Sequence, residues 1–126
     1  MTYRLTKDAD GDVARILKDT YRLFGRSQVV RYAEIIKRGL SMVAENPLRA
    51  SSRPRDELSD GMRSFHLQLA SGRSKGASHV IYYRIASTNP ELVIVVRVVG
   101  DEMEPKKRVA QALRSDDAGM AGGRGE

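Results

Sequence analysis

Apolar residues recur at helical spacing near the start of the chain. They are Ala9, Val13, Ile16, Leu17 and Phe24, and Thr20 occurs at the same spacing. Steps of three and four residues are typical of one face of an amphipathic helix. Thr6 or Asp8 can cap its start, and Gly25 is suited to end it because glycine tolerates the conformation that closes many helices. The pattern predicts a helix from about Lys7 to about Phe24.

A second helical pattern follows after a very short connection. Ser27 can cap this helix, and its apolar face carries Val29, Ala33, Ile36, Leu40 and Val43. Gly39 lies inside it, where glycine costs about 1 kcal/mol relative to alanine, so we expect close packing against a neighbour. Asn46-Pro47 ends the helix, since the residue before proline avoids the helical conformation. Two helices joined so closely should form an antiparallel αα-hairpin.

Three β segments follow in the second half of the chain. Residues 62–69 place Phe65, Leu67 and Leu69 on one face, residues 79–86 form a second segment, and residues 92–99 are apolar on both faces. A strand that is apolar on both faces is typical of the middle of a sheet. Because the connections are short, we expect the three strands to be mutually antiparallel.

These elements predict one α+β domain over residues 1–113. An N-terminal short strand at Tyr3-Arg4-Leu5 and the antiparallel helical hairpin should pack on a mainly antiparallel sheet of three to four strands. Residues 48–60 read as a loop. After Gly100 a short helix should run through Val109 and Leu113. Residues 114–126 are rich in glycine and poor in apolar side chains, which predicts a disordered Gly-rich tail.

One arginine interrupts each of the three apolar strands: Arg63, Arg84 and Arg97. Residues two apart share a face of a strand, so Arg97 should lie on the same face as Val95 and Val99. Two interpretations are open. Each arginine could lie along the sheet with its head in water or paired with an acid of the 48–60 loop. Alternatively, the three could form a basic concave face for a protein segment or an acidic surface.

Charge and composition narrow the class of protein. The chain carries 22 Lys+Arg against 16 Asp+Glu, a net charge of +6, which favours an acidic partner or simply solubility. It has no cysteine, so a disulfide and a cysteine-bound metal are excluded, and we expect no cofactor and no metal. Nothing resembles a signal peptide or a membrane-spanning run, so we expect a cytoplasmic protein without a membrane partner.

A series of short motifs carries a family resemblance. They are Tyr3-Arg4-Leu5-Thr6, Asp8-Ala9-Asp10, Phe24-Gly25, Asn46-Pro47, Arg55-Asp56-Glu57-Leu58, Gly61-Met62-Arg63-Ser64-Phe65, His79-Val80-Ile81-Tyr82-Tyr83-Arg84, Ile94-Val95-Val96-Arg97-Val98-Val99 and Asp101-Glu102-Met103-Glu104-Pro105. In order and spacing they resemble the RelE/ParE superfamily of type II toxins, ParE branch, over about residues 3–113. Two features depart from the family: Gly100 stands where a histidine is frequent, and the connection over residues 68–78 is longer than the usual tight turn.

The resemblance implies a growth-inhibiting toxin of a toxin–antitoxin system. A cognate ParD-like antitoxin would hold it inactive in a hetero-oligomer. Its target would be DNA gyrase, bound so that cleaved DNA complexes are stabilised, with no catalytic residues and no direct sequence-specific nucleic acid binding.

Two residue sets are candidates for these contacts. Side chains beside the main apolar stripes of the hairpin, with the strand arginines, are candidates for antitoxin binding: Tyr21, Tyr32, Ile35, Arg63, Arg84 and Arg97. Tyr32 is the strongest of them, since a tyrosine off the core stripe often anchors an interface. Candidates for target binding are Arg63, His79, Tyr83, Lys106, Lys107 and Arg108. The last three can equally be a solvated helix end.

Two other functions compete with gyrase poisoning. A RelE-like ribosome-dependent mRNA endoribonuclease would need a general base, a general acid and cations at the phosphate. His66 and His79 are its candidate bases, but His66 and Arg63 should face opposite sides of the sheet, so alternation along the strands predicts no obvious converging set. A basic module that binds nucleic acid directly is the third hypothesis, although clustered aromatics for base stacking are lacking.

Overall fold

The computed structural model describes residues 2–72 and 76–123, with side chains described as far as Asp116. Within these residues the fold is α+β, with the order β1 (Thr2–Leu5), α1 (Lys7–Phe24), α2 (Arg26–Glu45), β2 (Arg53–Pro54), β3 (Arg63–His66), α3 (Gln68–Ser71), β4 (His79–Ile85), β5 (Leu92–Gly100) and α4 (Lys106–Gly123). No helix of this described part is both long and apolar enough to cross a membrane.

The strands form one mixed sheet in the order β1-β5-β4-β3-β2. β3, β4 and β5 are antiparallel neighbours, as their short connections predict. β1 pairs in parallel with β5, which places β5 in the interior of the sheet and explains why it is apolar on both faces. The two-residue strand β2 lies in the predicted loop and pairs with β3. The sheet therefore has five strands, where the sequence predicts three to four.

Helices cover both faces of this sheet. On one face α1 and α2 contribute Ala9, Ile16, Ile35, Ile36, Leu40 and Val43 to a cluster with the strand residues Phe65, Ile81, Tyr83, Val93, Val95 and Val98. On the other face Val109 and Ala112 of α4 pack against Val80, Tyr82, Ile94, Val96 and Val99. The sheet is the middle layer, and the predicted hairpin forms one outer layer.

Helix α2 approaches the sheet most closely at Gly39, in agreement with the prediction for this glycine. A Cβ there would collide with the Leu67 side chain and lie 3.3 Å from Ile81 Cδ1. Ile35, predicted beside the apolar stripe of α2, is buried together with Ile36. The core-facing stripe is therefore wider than the predicted set of positions.

The ends of the hairpin helices differ from prediction in two places. Thr6 caps α1 as expected, with its Oγ1 accepting a hydrogen bond from the Ala9 amide at 3.0 Å. Phe24, predicted on the core face, is 66% exposed because the last turn of α1 borders open clefts. The predicted Ser27 cap is wrong: α2 already begins at Arg26, with Gly25 at the cap position.

A β-bulge in β5 changes the predicted faces. Tyr82 pairs with Arg97 and Tyr83 with Val95, so Val96 is an extra residue on β5. A bulge of this kind shifts the side-chain alternation by one position. As a result Val95 lies on the hairpin face, whereas Val99 lies on the α4 face, and the prediction that both share a face with Arg97 is wrong.

The first predicted strand is shorter than residues 62–69. β3 ends at His66, whose Nδ1 accepts a hydrogen bond from the Gln68 amide at 3.0 Å. This contact turns the chain into the short helix α3, so that Leu67 and Ala70 are buried while Leu69 is 51% exposed. Leu67 and Leu69 have the spacing of a strand, whereas Leu67 and Ala70 have the spacing of a helix. The structure follows the helical spacing.

Helix α4 continues through Gly123, in contrast with the disordered tail predicted from residue 114. Val109 and Ala112 are fully buried and hold the first part of the helix on the sheet, and in the extension both carboxylate oxygens of Asp116 accept hydrogen bonds from Arg4 at 3.1 Å. Residues 124–126 of the predicted tail lie outside the described residues.

Candidate functional site at the open end of the hairpin

A cleft of about 420 Å³ lies where the C-terminal end of α1 and the start of α2 meet one end of the sheet. Its lining combines ionisable, amide and aromatic side chains: Thr20, Phe24, Gln28, Arg31, Tyr32, Gln68, Ser78, His79 and Asp101. A second cleft of about 370 Å³ shares Thr20, Phe24 and His79 with the first. His79 therefore lies at the junction of two adjoining depressions.

Tyr32 and His79 join the hairpin to the sheet inside this cleft. The Tyr32 hydroxyl lies 2.6 Å from His79 Nδ1, and it accepts a hydrogen bond from the Ser78 amide at 3.2 Å. The direction of the Tyr32–His79 bond depends on the tautomer of the imidazole: the hydroxyl donates to Nδ1 when the ring proton is on Nε2. The two rings meet edge to face, with centroids 5.5 Å apart.

Burial keeps both members of this pair uncharged. It lowers the pKa of His79, and the nearby carboxylate of Asp101 opposes this effect without overcoming it. Burial also raises the pKa of Tyr32. At neutral pH the pair is thus a neutral imidazole and a protonated phenol, a hydrogen-bonding unit suited to recognising a partner group at the cleft.

His66 and Asp101 form a second pair at the same end of the sheet. His66 Nε2 lies 2.9 Å from Asp101 Oδ2, while Nδ1 is occupied by the Gln68 amide. Because Nδ1 accepts, Nε2 must carry the proton and donate it to Asp101. Alternation along single strands missed this convergence, since it arises between strands: His79 pairs with Gly100, directly before Asp101.

Large apolar side chains are exposed around the corner of the hairpin at Gly25. Tyr21, Leu23, Phe24 and Val30 are 55–66% exposed. A group of this size on a small domain is typical of an interaction surface. We call these four residues the hairpin patch.

A buried ion pair lies deeper, between α1 and β5. Arg97 Nε and Nη2 donate to the two oxygens of Asp12 at 2.7 and 2.8 Å, and the Val98 amide donates to Asp12 Oδ2 at 3.0 Å. Arg15 adds a bond of 2.7 Å. Burial works to raise the pKa of Asp12, but these donors together lower it.

Comparison with known proteins identifies the family. The family model described as "ParE toxin of type II toxin-antitoxin system, parDE" matches residues 3–105. The chain belongs to the ParE toxin family. A solved structure titled "Chromosomal ParDE TA system from P. aeruginosa" has a similar fold, with a TM-score of 0.62 and 16% identity, covering 81% of this chain and 97% of that chain. No curated protein matches the sequence. The predicted resemblance to ParE and the α+β fold are confirmed.

Several residues predicted to bind partners are enclosed in this ParE fold. Ile35 and Tyr83 belong to the hairpin-side core, and the Tyr83 hydroxyl donates to the Pro47 carbonyl at 2.6 Å. Arg97 is 9% exposed and bound to Asp12. Burial leaves these three side chains little surface for a partner, and the polar atoms of Tyr83 and Arg97 are already hydrogen-bonded within the fold.

The other two strand arginines differ from each other. Arg63 donates from Nε to Ser52 Oγ at 2.9 Å, so it fastens the 48–60 loop through a serine and not through a loop acid. Arg84 is half-buried, and its Nε has no hydrogen-bond partner among the described residues. The three arginines therefore do not act as one basic face.

The accessible candidates lie in two places. Tyr32 and His79 line the cleft, and Tyr21 belongs to the exposed hairpin patch. Lys106 and Lys107 are exposed at the start of α4, and Arg108 donates to the Glu104 carbonyl at 3.0 Å. Within the described part of the chain, no group of His, Cys, Asp or Glu is arranged to hold a metal ion.

Proposed function

We propose that this ParE-family toxin inhibits growth by poisoning DNA gyrase in the cytoplasm and is neutralised by a ParD-like antitoxin. Membership of the ParE family over residues 3–105 supports the toxin role and implies an antitoxin partner. The gyrase target follows from the resemblance to the ParE branch. Trapping gyrase on cleaved DNA requires a docking surface and no bond-making group on the toxin.

The hairpin patch is the observation that carries the antitoxin half of this proposal. Tyr21, Leu23 and Phe24 are at least 60% exposed, and Leu23 and Phe24 line the clefts that also contain Tyr32 and His79. Apolar anchors next to a few convergent polar groups are typical of protein interfaces. An amphipathic antitoxin segment can bury the patch and contact the half-buried His79 at the cleft.

Basic side chains away from this end are left for the target. Lys106 and Lys107 are exposed on α4, while the half-buried Arg63 lies in β3. Together with the net charge of +6 they supply attraction for an acidic protein surface or for DNA held by the target. We propose these residues, and His79 where the antitoxin leaves it free, as the contacts with gyrase.

The decisive test uses purified toxin without antitoxin. We expect it to inhibit gyrase supercoiling and to trap cleaved DNA, and we expect both effects to disappear when a cognate ParD-like antitoxin is added. The double variant Lys106→Glu/Lys107→Glu should lose inhibition while still binding the antitoxin. Folded toxin that neither inhibits supercoiling nor traps cleavage contradicts the proposal.

The ribonuclease alternative gains one observation from the structure. His66, His79, Tyr32 and Asp101 converge beside an open cleft, whereas strand alternation predicts no such set. If this cluster cuts mRNA, toxin added to a translation extract should produce cleaved messages, and the double variant His66→Ala/His79→Ala should not. Intact mRNA with the unmodified toxin removes this alternative.

A further inference from the structure

Two arginines flank Ile94 on the face of the sheet that α4 covers. Ile94 of β5 pairs with Arg4 of β1 on one side and with Arg84 of β4 on the other, so the three residues form one row across the sheet. Directly opposed residues of neighbouring strands share a face, and Ile94 packs in the cluster on the α4 side. The two guanidinium groups therefore start from equivalent positions on either side of β5.

Arg4 and Arg84 differ in what their side chains bind. Arg4 donates from Nη1 and Nη2 to the two carboxylate oxygens of Asp116, each at 3.1 Å. No hydrogen bond or ion pair joins the Arg84 side chain to any part of the chain that the structure describes, and its Nε is buried without a partner. Buried donors normally have a partner, because leaving one unpaired is costly. Arg84 therefore has an unused capacity for a carboxylate like the one that Arg4 binds.

Partly exposed leucines border the cluster that contains Ile94. Leu58 precedes β3, Leu92 begins β5 and Leu113 belongs to α4, and all three are half-buried. We call these three residues the leucine rim. Leu92 lies two residues before Ile94 and therefore on the same face, beside Arg84. A guanidinium without a partner next to apolar side chains suits a protein segment that carries an acid beside an apolar residue.

We propose that a carboxylate of the ParD-like antitoxin binds Arg84 in a bidentate pair, with a neighbouring apolar side chain of the antitoxin on the leucine rim. This inference rests on the proposed function, since it names a second contact of the same partner. A partly buried guanidinium without a counter-charge destabilises the free toxin. The complex with the antitoxin, in which the toxin is held inactive, is the state that compensates this charge.

Two other occupants are less suited to Arg84. Lys106 and Lys107, proposed for gyrase, begin α4 after the end of β5, whereas Arg84 pairs near the start of β5. Arg63, also proposed for gyrase, pairs with Tyr83 and so lies on the hairpin face. The target contacts are thus separate from Arg84. A second copy of this chain would bring together two bodies of net charge +6, which repel each other.

Calorimetric titration of toxin variants with a purified cognate ParD-like antitoxin tests the pair. Arg84→Met keeps an unbranched stem without donors and should weaken binding by ~10-fold or more, because hydrogen bonds between charged groups are strong. Arg84→Lys keeps the charge without the planar two-donor geometry, so it should recover only part of the affinity. Arg53→Met, at an exposed arginine of β2, is the matched control and should change affinity less than about twofold.

The stability of the free toxin should not follow the loss of affinity. Replacing an uncompensated guanidinium by an apolar side chain should leave the urea midpoint of Arg84→Met equal to that of the unmodified toxin, or raise it by up to ~0.5 M. Weaker binding without a loss of stability is a combination that a purely structural arginine would not give. A lower midpoint would show that Arg84 already has a partner within the toxin, and it would overturn the inference.

NMR of the unmodified toxin tests the contact without any substitution. The Nε–H signal of Arg84 should move when the antitoxin is added, because the carboxylate changes its surroundings. The Nε–H signal of Arg97, already bound to Asp12, is the internal reference and should stay nearly in place. A complex that forms while the Arg84 signal does not move contradicts the pair.

The outcomes separate this inference from the proposed function. A complex that forms equally well with Arg84→Met overturns the pair and leaves antitoxin binding intact. Absence of any complex with the unmodified toxin overturns antitoxin binding and the pair together. If Arg84→Met binds the antitoxin normally but no longer inhibits gyrase supercoiling, the contact belongs to the target, and the inference is overturned.

Discussion

Two polar contacts join the helical hairpin to the sheet, and one is much more deeply buried than the other. Asp12 of α1 and Arg97 of β5 are almost fully buried, with side-chain exposures of 1% and 10%, and the Asp12 oxygens accept four hydrogen bonds in all. Tyr32 of α2 and His79 of β4 are half-buried and border a cleft. The hydrogen-bonding groups of the first contact are satisfied within the fold, whereas the second contact borders a cleft that another molecule can enter.

The difference separates structural from interacting polar residues in this toxin. A buried charge with every bond satisfied contributes to the fold, and removing its partner leaves an uncompensated ion. Breaking a half-buried neutral pair lowers the free energy of unfolding by a smaller amount, because water can replace the missing group. Stability and partner binding should therefore respond to different substitutions.

Asp12→Ala should break the enclosed contact and have the largest effect. It leaves the Arg97 guanidinium buried without its counter-ion, so we expect the free energy of unfolding to fall by about 3–5 kcal/mol. Urea denaturation at pH 7 measures this loss. Asp10→Ala, an exposed acid on the same helix, is the control and should change stability by less than about 0.5 kcal/mol. A loss below about 1 kcal/mol for Asp12→Ala would show that water reaches Arg97.

Gly39→Ala tests the apolar packing of the hairpin on the sheet, to be compared with its two polar contacts. Gly39 packs on Leu67, the residue directly before α3. The added methyl would collide with Leu67, and overpacking of this kind costs about 1–3 kcal/mol, more than the helix propensity of alanine returns. Gly11→Ala in α1, where a Cβ would meet no atom within 4 Å, should instead stabilise by about 0.5–1 kcal/mol. Thermal or urea unfolding of the two variants gives opposite signs if the packing is as described.

The features predictable from sequence are those set by local pattern. The bounds of α1, the hairpin, the central position of β5 and the close approach at Gly39 all follow from periodicity and residue type. The bulge at Val96 did not, because an extra residue in an apolar strand leaves the composition unchanged while moving Arg97 to another face. This is why Val95 and Val99 lie on opposite faces of the sheet, contrary to the prediction.

The candidate site was predictable only in part, for a related reason. Tyr32 and His79 were candidates, but their contact spans α2 and β4 and depends on the packing of the whole hairpin. Asp12 lies in the N-terminal part of α1, where acids are favoured by the helix dipole, so its position gives no sign of its long-range partner Arg97. Pairings across 85 residues come from topology, not from local sequence.

Tyr32→Phe should break the open contact with a smaller effect. It removes the hydroxyl shared by His79 and the Ser78 amide, and because the cleft admits water we expect a loss of about 1 kcal/mol. Urea denaturation beside Asp12→Ala compares the two contacts directly. A loss of 3 kcal/mol or more, in the range given for buried pairs, would mean that the Tyr32–His79 pair is as enclosed as the ion pair.

As the pH falls, the Tyr32–His79 contact should lose its contribution to stability before the Asp12–Arg97 ion pair does. Burial lowers the pKa of His79 in the folded state, so the unfolded chain, with a histidine pKa of about 6.5, binds its proton first as pH falls. Stability should decline below about pH 6.5, and this slope should be reduced in His79→Gln. The pKa of Asp12 is lowered in the folded state, so its contribution is retained until the pH falls below about 4. Urea midpoints from pH 7 to 5 that do not change would contradict the assignment for His79.

Tyr21→Ala should change stability least of all, which makes it the sharpest test of an interacting surface. Its side chain is 60% exposed, so the free energy of unfolding should change by less than about 0.5 kcal/mol. Antitoxin binding should nevertheless weaken by ~10-fold or more, because a central aromatic anchor commonly contributes over 1.4 kcal/mol to an interface. Leu48→Ala is the matched control, since Leu48 is 65% exposed but lies on the loop after α2, away from the hairpin patch. Calorimetric titration of both variants with the ParD-like protein distinguishes the two surfaces. If Leu48→Ala weakens binding and Tyr21→Ala does not, the antitoxin contacts the loop side. The open end of the hairpin is then left for the target.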